Sequence, residues 1–329
     1  MENSGRLFLR TTAVPIRLLS LILAAVACGS VSDPPQQNPP STQISGRWLH
    51  AMVYDAARSR VLVFGGRTKS GANEVFLNDL WAWDGSTWSH ITTSVAPPAR
   101  GDMLLTYDAA RQRVVLYGGA DESGLLTDTW EWDGTAWAQK ATSGPPARKH
   151  FGGGYDAARG RTVVYGGLTL ADVPLTDTWE WDGTSWTQRA STRPSPLDAP
   201  TQAVFDTGRN ALLMVVGAFS TGPSETWHWN GANWSVVGPG PAIAMPNATT
   251  GAGAASYLYS AGSAGVATWR WNGTAWSSLA TPTTPALRFG AAMAYDAARS
   301  RVVLFGGLAN NAYSRETWTF DGTSWSLVP

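Results

Sequence analysis

Residues 130–137 read WEWDGTAW, three indoles in eight positions. Five more blocks repeat the design: WAWDGSTW (81–88), WEWDGTSW (179–186), WHWNGANW (227–234), WRWNGTAW (269–276) and WTFDGTSW (318–325). Their first tryptophans fall at 81, 130, 179, 227, 269 and 318, at intervals of 49, 49, 48, 42 and 49. Seventeen of the 18 tryptophans lie in these blocks; Trp48 stands apart, and Phe320 occupies the remaining place. A period of this size in a strand-rich chain marks a β-propeller with one four-stranded blade per repeat. The fold class is therefore all-β: six blades of four antiparallel strands.

The rest of each repeat parses into strands. RWLHAMVYD (47–55), RGDMLLTYD (100–108), RKHFGGGYD (148–156) and RFGAAMAYD (288–296) supply the first strand. DAAR turns follow, and RVLVFGG, RVVLYGG, RTVVYGG and RVVLFGG form the second strand, whose unbroken apolar runs suit burial on both sides. The W-x-W segment is the third strand, and Asp-Gly or Asn-Gly turns the chain into the fourth. Trp130 and Trp132, two apart on a strand, point to one side. Such aromatics, burying roughly 150–250 Å² each, can fill the wedge between blades. The residue between them varies (Ala82, Glu131, Glu180, His228, Arg270, Thr319), which predicts an opposite side that is wetter or less demanding of residue type.

The Tyr-Asp pair, the following Gly-Gly and the later spaced tryptophans together resemble the kelch repeat, over residues 47–329. The pattern is nearly intact in blades one, two, three and six. Blade four keeps FDTGRN and Val216-Gly217-Ala218, and blade five keeps its tryptophans behind ATTGAGAASYLYSAGSAG (248–265). The resemblance implies six or seven blades; six are countable, at 46–97, 98–146, 147–194, 195–240, 241–285 and 286–329. The family includes copper-radical oxidases similar to galactose oxidase, whose cofactor needs a Cys cross-linked to Tyr. Cys28 is the only cysteine here and belongs to a processing segment, so no cofactor is expected. The D-G-T-x-W turn differs from the sialidase Asp-box in lacking its leading Ser and in the place of Trp.

Residues 1–27 read as a signal peptide. Arg6, Arg10 and Arg17 precede the apolar run LLSLILAAVA (18–27), which is too short to span a bilayer. AVAC resembles a bacterial lipoprotein box with Cys28 as the lipidated N-terminus, although Ala25 stands where Leu is commonest. Residues 28–45 then form a Pro-rich tether. Export to the cell envelope is the expectation, with membrane contact only through the anchor. Secretion is the alternative. The segment beyond residue 27 carries 21 basic and 23 acidic residues, a balance that argues against nucleic-acid binding.

Ring closure is expected from packing of the first blade on the last, helped by residues 40–46, since no strand is left over to be shared. The DAAR and Asp-Gly turns share one face and hardly vary. The loops after Gly-Gly share the other, and their spans do vary: 15 residues from Gly66 to Trp81, 11 from Gly119 to Trp130, 12 from Gly167 to Trp179 and 9 from Ala218 to Trp227. Loops that vary on a constant scaffold are where specificity resides. Arg47, Arg100, Arg148 and Arg288 enter this face as a candidate cationic collar for anionic groups; blade four has Asp198 at that offset. The competing reading pairs them internally with Asp79, Asp128, Asp177 and Glu316, two residues before each Trp block. Blade five lacks both partners, having Ala267. His50 and His150 stand at different offsets, read as ordinary strand residues, and do not define a metal site. The functional expectation is a binding or scaffolding propeller for a protein or glycan. The alternative is a carbohydrate-active lyase or hydrolase with its site at the channel mouth.

Overall fold

The computed structural model describes residues 43–189, 199–200, 203–206, 208–217, 224–241, 245–252, 255–262 and 265–329. The expected signal peptide, Cys28, most of the expected tether and Asp198 lie outside the described residues. Blade one places Ala51–Asp55, Arg60–Phe64, Leu80–Trp83 and Trp88–Ile91 side by side in one antiparallel sheet. Blades two, three and six repeat this order from Leu104, Gly152 and Ala292. In blade four Ala199–Pro200 and Val204–Asp206 both pair with Ala211–Gly217. Blade five is complete, with Met245–Ala252, Ala255–Gly262, Gly265–Trp271 and Trp276–Leu279 in one sheet. Inner strands touch one another in chain order, and that of blade one touches that of blade six, so the ring of six closes.

Second strands are buried on both faces, as their apolar runs predict: Val61, Leu62, Val63 and Phe64 are fully enclosed. The inner strands are shorter than the sequence pattern suggests. Leu49, Asp102, His150 and Gly290, third in each R-x-x run, adopt φ of 53°, 58°, 53° and 61°. That left-handed step breaks the extended backbone and lets the preceding arginine turn into its blade.

Each tryptophan set leans on the blade before it. Trp130, Trp132 and Trp137 share a cluster with Val53, Leu62 and Phe64 of blade one. Trp227, Trp229 and Trp234 pack on Val163 and Tyr165 of blade three, and Trp81 and Trp83 on Val303 and Phe305 of blade six. The last indole of a block also donates Nε1–H to a threonine of the preceding blade: Trp186 to Thr129, Trp234 to Thr178, Trp276 to Thr226, Trp325 to Thr268 and Trp88 to Thr317, all at 2.8–2.9 Å. Blade one carries Leu80 at the threonine position, and Trp137 Nε1 finds no acceptor among the described residues.

The side expected to be wet is instead buried in four blades, because each blade is faced by a neighbour on both sides. Ala82, Glu131, Glu180 and His228 all lie inside. Glu131 Oε1 accepts Trp181 Nε1–H and Glu180 Oε1 accepts Trp229 Nε1–H, each at 3.0 Å. Ala82 offers no acceptor, and Trp132 Nε1 has no partner among the described residues. Blade five presents Arg270, and blade six answers with Phe320, a ring that has no N–H to place.

The DAAR face is taken up by locks between blades. Arg58, Arg111, Arg159, Arg209 and Arg299 pair with Asp55, Asp108, Asp156, Asp206 and Asp296 of their own turns. The same guanidinium groups lie against Gly134, Gly183, Gly231, Gly273 and Gly85 of the following blade, whose φ of 92–102° already suits glycine. Tyr107 Oη accepts Ala57 N–H at 3.1 Å and Tyr155 Oη accepts Ala110 N–H at 3.2 Å. The choice of Asp or Asn in these turns follows charge. Asp84, Asp133, Asp182 and Asp321 occur where the second strand begins with Arg60, Arg113, Arg161 or Arg301, and Asn230 and Asn272 where it begins with Ala211 or Ala255. Hydrogen bonds from Thr135 and Ala136, aided by Arg113, hold the Asp133 carboxyl down to about 2.

Blades one and six meet without a shared strand. Ile44 is buried in their common cluster, Leu49 N–H bonds Gly290 O at 2.8 Å, and Ala298 N–H bonds Tyr54 Oη at 3.1 Å. His50 is buried here, edge-on to Phe305 at 5.4 Å. Burial first, then the charge of Arg47, push its pKa down to about 3, against weaker opposing pulls from the Phe305 backbone and Asp79. The folded ring thus keeps His50 neutral while an unfolded chain protonates it below about 6.5. Stability is lost as pH falls through that window. Between pH 7 and 5 this residue should remove about 2 kcal/mol, and His50→Met, the residue of blade two, should flatten the decline. Urea midpoints of the two proteins at both pH values measure it.

Candidate functional site

The four arginines expected to form a cationic collar lie inside the protein. Arg47, Arg100, Arg148 and Arg288 are 0% exposed. Each donates Nη1–H to the first carbonyl of a Gly-Gly pair, at Gly65, Gly118, Gly166 and Gly306, over 2.8–3.1 Å. Arg47 grips Asp79 (2.7 and 2.8 Å), Arg100 grips Asp128 (2.6 and 2.8 Å) and Arg148 grips Asp177 (2.9 and 3.0 Å), all bidentately; Arg288 meets Glu316 at 2.6 Å. The same carboxylates accept the first indole of each block, from Trp81, Trp130, Trp179 and Trp318, at 2.6–2.9 Å. Burial opposes ionisation of Asp79, Asp128, Asp177 and Glu316, but their arginines and tryptophans outweigh it and the pKa values fall. Blade four has a carboxylate that the spacing argument passed over: Glu225 accepts Trp227 Nε1–H at 3.0 Å. In blade five Ala267 leaves Trp269 Nε1 without an acceptor among the described residues. The arginines thus fasten each of these four loop bases to its Trp strand.

Those side chains stand on short ribbons. The residue after each arginine bridges the residue after Gly-Gly: Trp48 to Arg67, Gly101 to Ala120, Lys149 to Leu168 and Phe289 to Leu308. A Cβ at Gly66 would meet Trp48 O at 2.8 Å, so only glycine permits this crossing. The chain then rises as Arg67–Ser70 with Asn73–Phe76, Ala120–Asp121 with Gly124–Leu125, and Leu308–Ala309 with Ala312–Tyr313. Blade five has no such ribbon; its second and third strands stay paired up to Gly262 and Gly265.

Inside this wall run the left-handed residues. Asp102 N–H bonds Leu49 O at 2.8 Å, and His150 N–H bonds Asp102 Oδ2 at 3.1 Å. His150 Nδ1 is 3.3 Å from the same oxygen, both groups being partly exposed. A side chain in the left-handed region costs roughly 1–2 kcal/mol, and of these four positions only Gly290 of blade six avoids it. His150 therefore sits at the mouth and His50 in the seam. Among the described residues no group of three or more His, Cys, Asp or Glu is arranged to hold a metal.

The ribbon of blade one is tied into the ring. Glu74 accepts Trp48 Nε1–H at 2.9 Å, pairs with Arg67 at 3.0 Å, and takes the Tyr313 hydroxyl of blade six. Removing 67–78 would open the seam as well as change the face. Blade three differs. Its loop is ordered by Thr169 N–H to Val173 O (2.9 Å), Asp172 N–H to Thr169 O (3.0 Å) and a Lys149–Asp172 pair at 2.8 Å. It holds Leu170 and Val173 outward, 54% and 56% exposed. These two apolar residues were readable in TLADVPLTD as an apolar pair inside a variable loop, but nothing in the spacing singled them out.

Residues 25–217, more than half of the chain, match the family model of the KLHDC2/KLHL20/DRC7 Kelch-repeats domain. The chain belongs to the kelch-repeat family. No curated protein matches it. A kelch propeller is a common protein-binding scaffold, and nothing about this kelch chain indicates nucleic acid as a partner. In it, the DAAR face is taken up by inter-blade locks, while on the ribbon face the blade-three loop leaves Leu170 and Val173 exposed.

Proposed function

We propose that this kelch protein is an exported binding module, tethered to the cell envelope through a lipid on Cys28, that captures a protein partner with its ribbon face. The observation that carries the reading is the blade-three loop, which is ordered by two backbone hydrogen bonds within it and by the Lys149–Asp172 pair and yet presents Leu170 and Val173 to solvent. Apolar side chains set out on an ordered loop are characteristic of protein interfaces. A glycan ligand or a carbohydrate-active site would call on the arginines, and those are buried in their ion pairs.

Immobilised mature protein should retain a partner from envelope extract. Leu170→Asp with Val173→Asp should abolish capture while shifting stability by less than about 0.5 kcal/mol, as surface changes do. Undiminished capture by the double variant would contradict the reading, and release by free oligosaccharide would redirect it to a glycan. The anchor has its own test. Cells fed an alkyne fatty acid should label the wild type and leave Cys28→Ser unlabelled; label persisting on the variant would refute the anchor.

A further inference from the structure

The apolar pair of blade three stands in a sector whose charge is one-sided. Asp172, beside it, is 63% exposed. Glu122 at the tip of the blade-two ribbon is exposed, and Asp121 and Asp102 are half-buried. The sector is continuous: Gly101, before Asp102, bridges Ala120, before Asp121; Asp102 meets His150; and Lys149 bridges Leu168 at the base of the Leu170 loop. Lys149 is its one ammonium, and Asp172 holds it. Arg100 and Arg148 beneath are neutralised by Asp128 and Asp177. The sector thus carries four carboxylates, one lysine and the His150 imidazole alongside two exposed aliphatic side chains. On the blade-one side, by contrast, Arg67 pairs with Glu74 and Lys69 lies over the Tyr313 ring.

Charges of one sign around an apolar contact select a partner of the other sign, because like charges brought into a desolvated contact repel and opposite ones steer association. The Asp121 carboxylate is bound by Ser123 and Gly124 N–H groups of its turn, which fixes it in place without cancelling its charge. We infer that the partner docks across blades two and three with an extended segment in which lysine or arginine alternates with aliphatic residues. The aliphatic residues cover Leu170 and Val173, and the cations face Glu122, Asp172 and Asp102. This rests on the ribbon face being the binding face.

Fluorescence anisotropy of the mature protein with two labelled peptides, one alternating lysine and leucine and one alternating glutamate and leucine, tests it. The basic peptide should bind at least tenfold tighter than the acidic one at low salt, and its affinity should fall as salt is raised. Glu122→Lys with Asp172→Lys should weaken it at least tenfold, and Leu170→Ser with Val173→Ser should weaken it comparably in protein that melts like the wild type. Equal or tighter binding of the acidic peptide would overturn the inference. So would basic-peptide binding that ignores both variant pairs, as adsorption elsewhere would. Failure of both peptides alongside capture that still depends on Leu170 and Val173 would overturn the peptide chemistry and leave the binding face standing.

Discussion

Trp181→Ala should destabilise the ring by about 3–5 kcal/mol, among the largest single-site effects in the molecule. The indole is 1% exposed, it lies tilted against Trp186 at 5.6 Å, and its Nε1–H is the one Glu131 accepts from the neighbouring blade. Replacement by phenylalanine separates the two contributions. Trp181→Phe keeps most of the apolar contact but deprives a buried carboxylate of a donor, a loss of about 1–3 kcal/mol. Trp132→Phe removes an N–H that has no acceptor, and should cost less than Trp181→Phe in urea titrations. Equal losses for the two phenylalanine variants would mean that the hydrogen bonds between blades contribute nothing to the ring.

Arg100→Ala should cost a further class of energy, about 3–5 kcal/mol, because it leaves Asp128 in its site without its cation. Lysine should not rescue it. A single ammonium cannot span both Asp128 oxygens and the Gly118 carbonyl as the planar guanidinium does. Chemical denaturation of Arg100→Ala and Arg100→Lys beside the wild type measures both. A variant that kept its stability but lost its partner would return the arginine to a ligand-gripping role.

Much of this architecture was legible because the chain states it six times. Trp spacing fixed the blade count, Gly-Gly fixed the ends of the second strands, and the paired absence of Arg and acid in blade five pointed to internal ion pairs. The wetness expected opposite the tryptophans failed for a geometric reason: each blade is faced on both sides, and the residue there is set against the next blade, as Glu131 against Trp181. The shortened inner strands escaped because three of the four left-handed positions are Leu49, Asp102 and His150, and only Gly290 announces the conformation. The ribbon face was localised by loop length, but Leu170 and Val173 are two aliphatic residues in a chain rich in them. Their meaning lies in exposure, which spacing does not report.

Hydrogen–deuterium exchange of the partner-bound protein tests the central claim, that one end of the ring holds the blades together and the other receives the ligand. Protection on binding should appear at 101–103, 120–126 and 168–174, with the Asp-Gly turns at 84–87, 133–136 and 182–185 unchanged. Protection confined to those turns and the DAAR segments would place the ligand on the opposite face and contradict it.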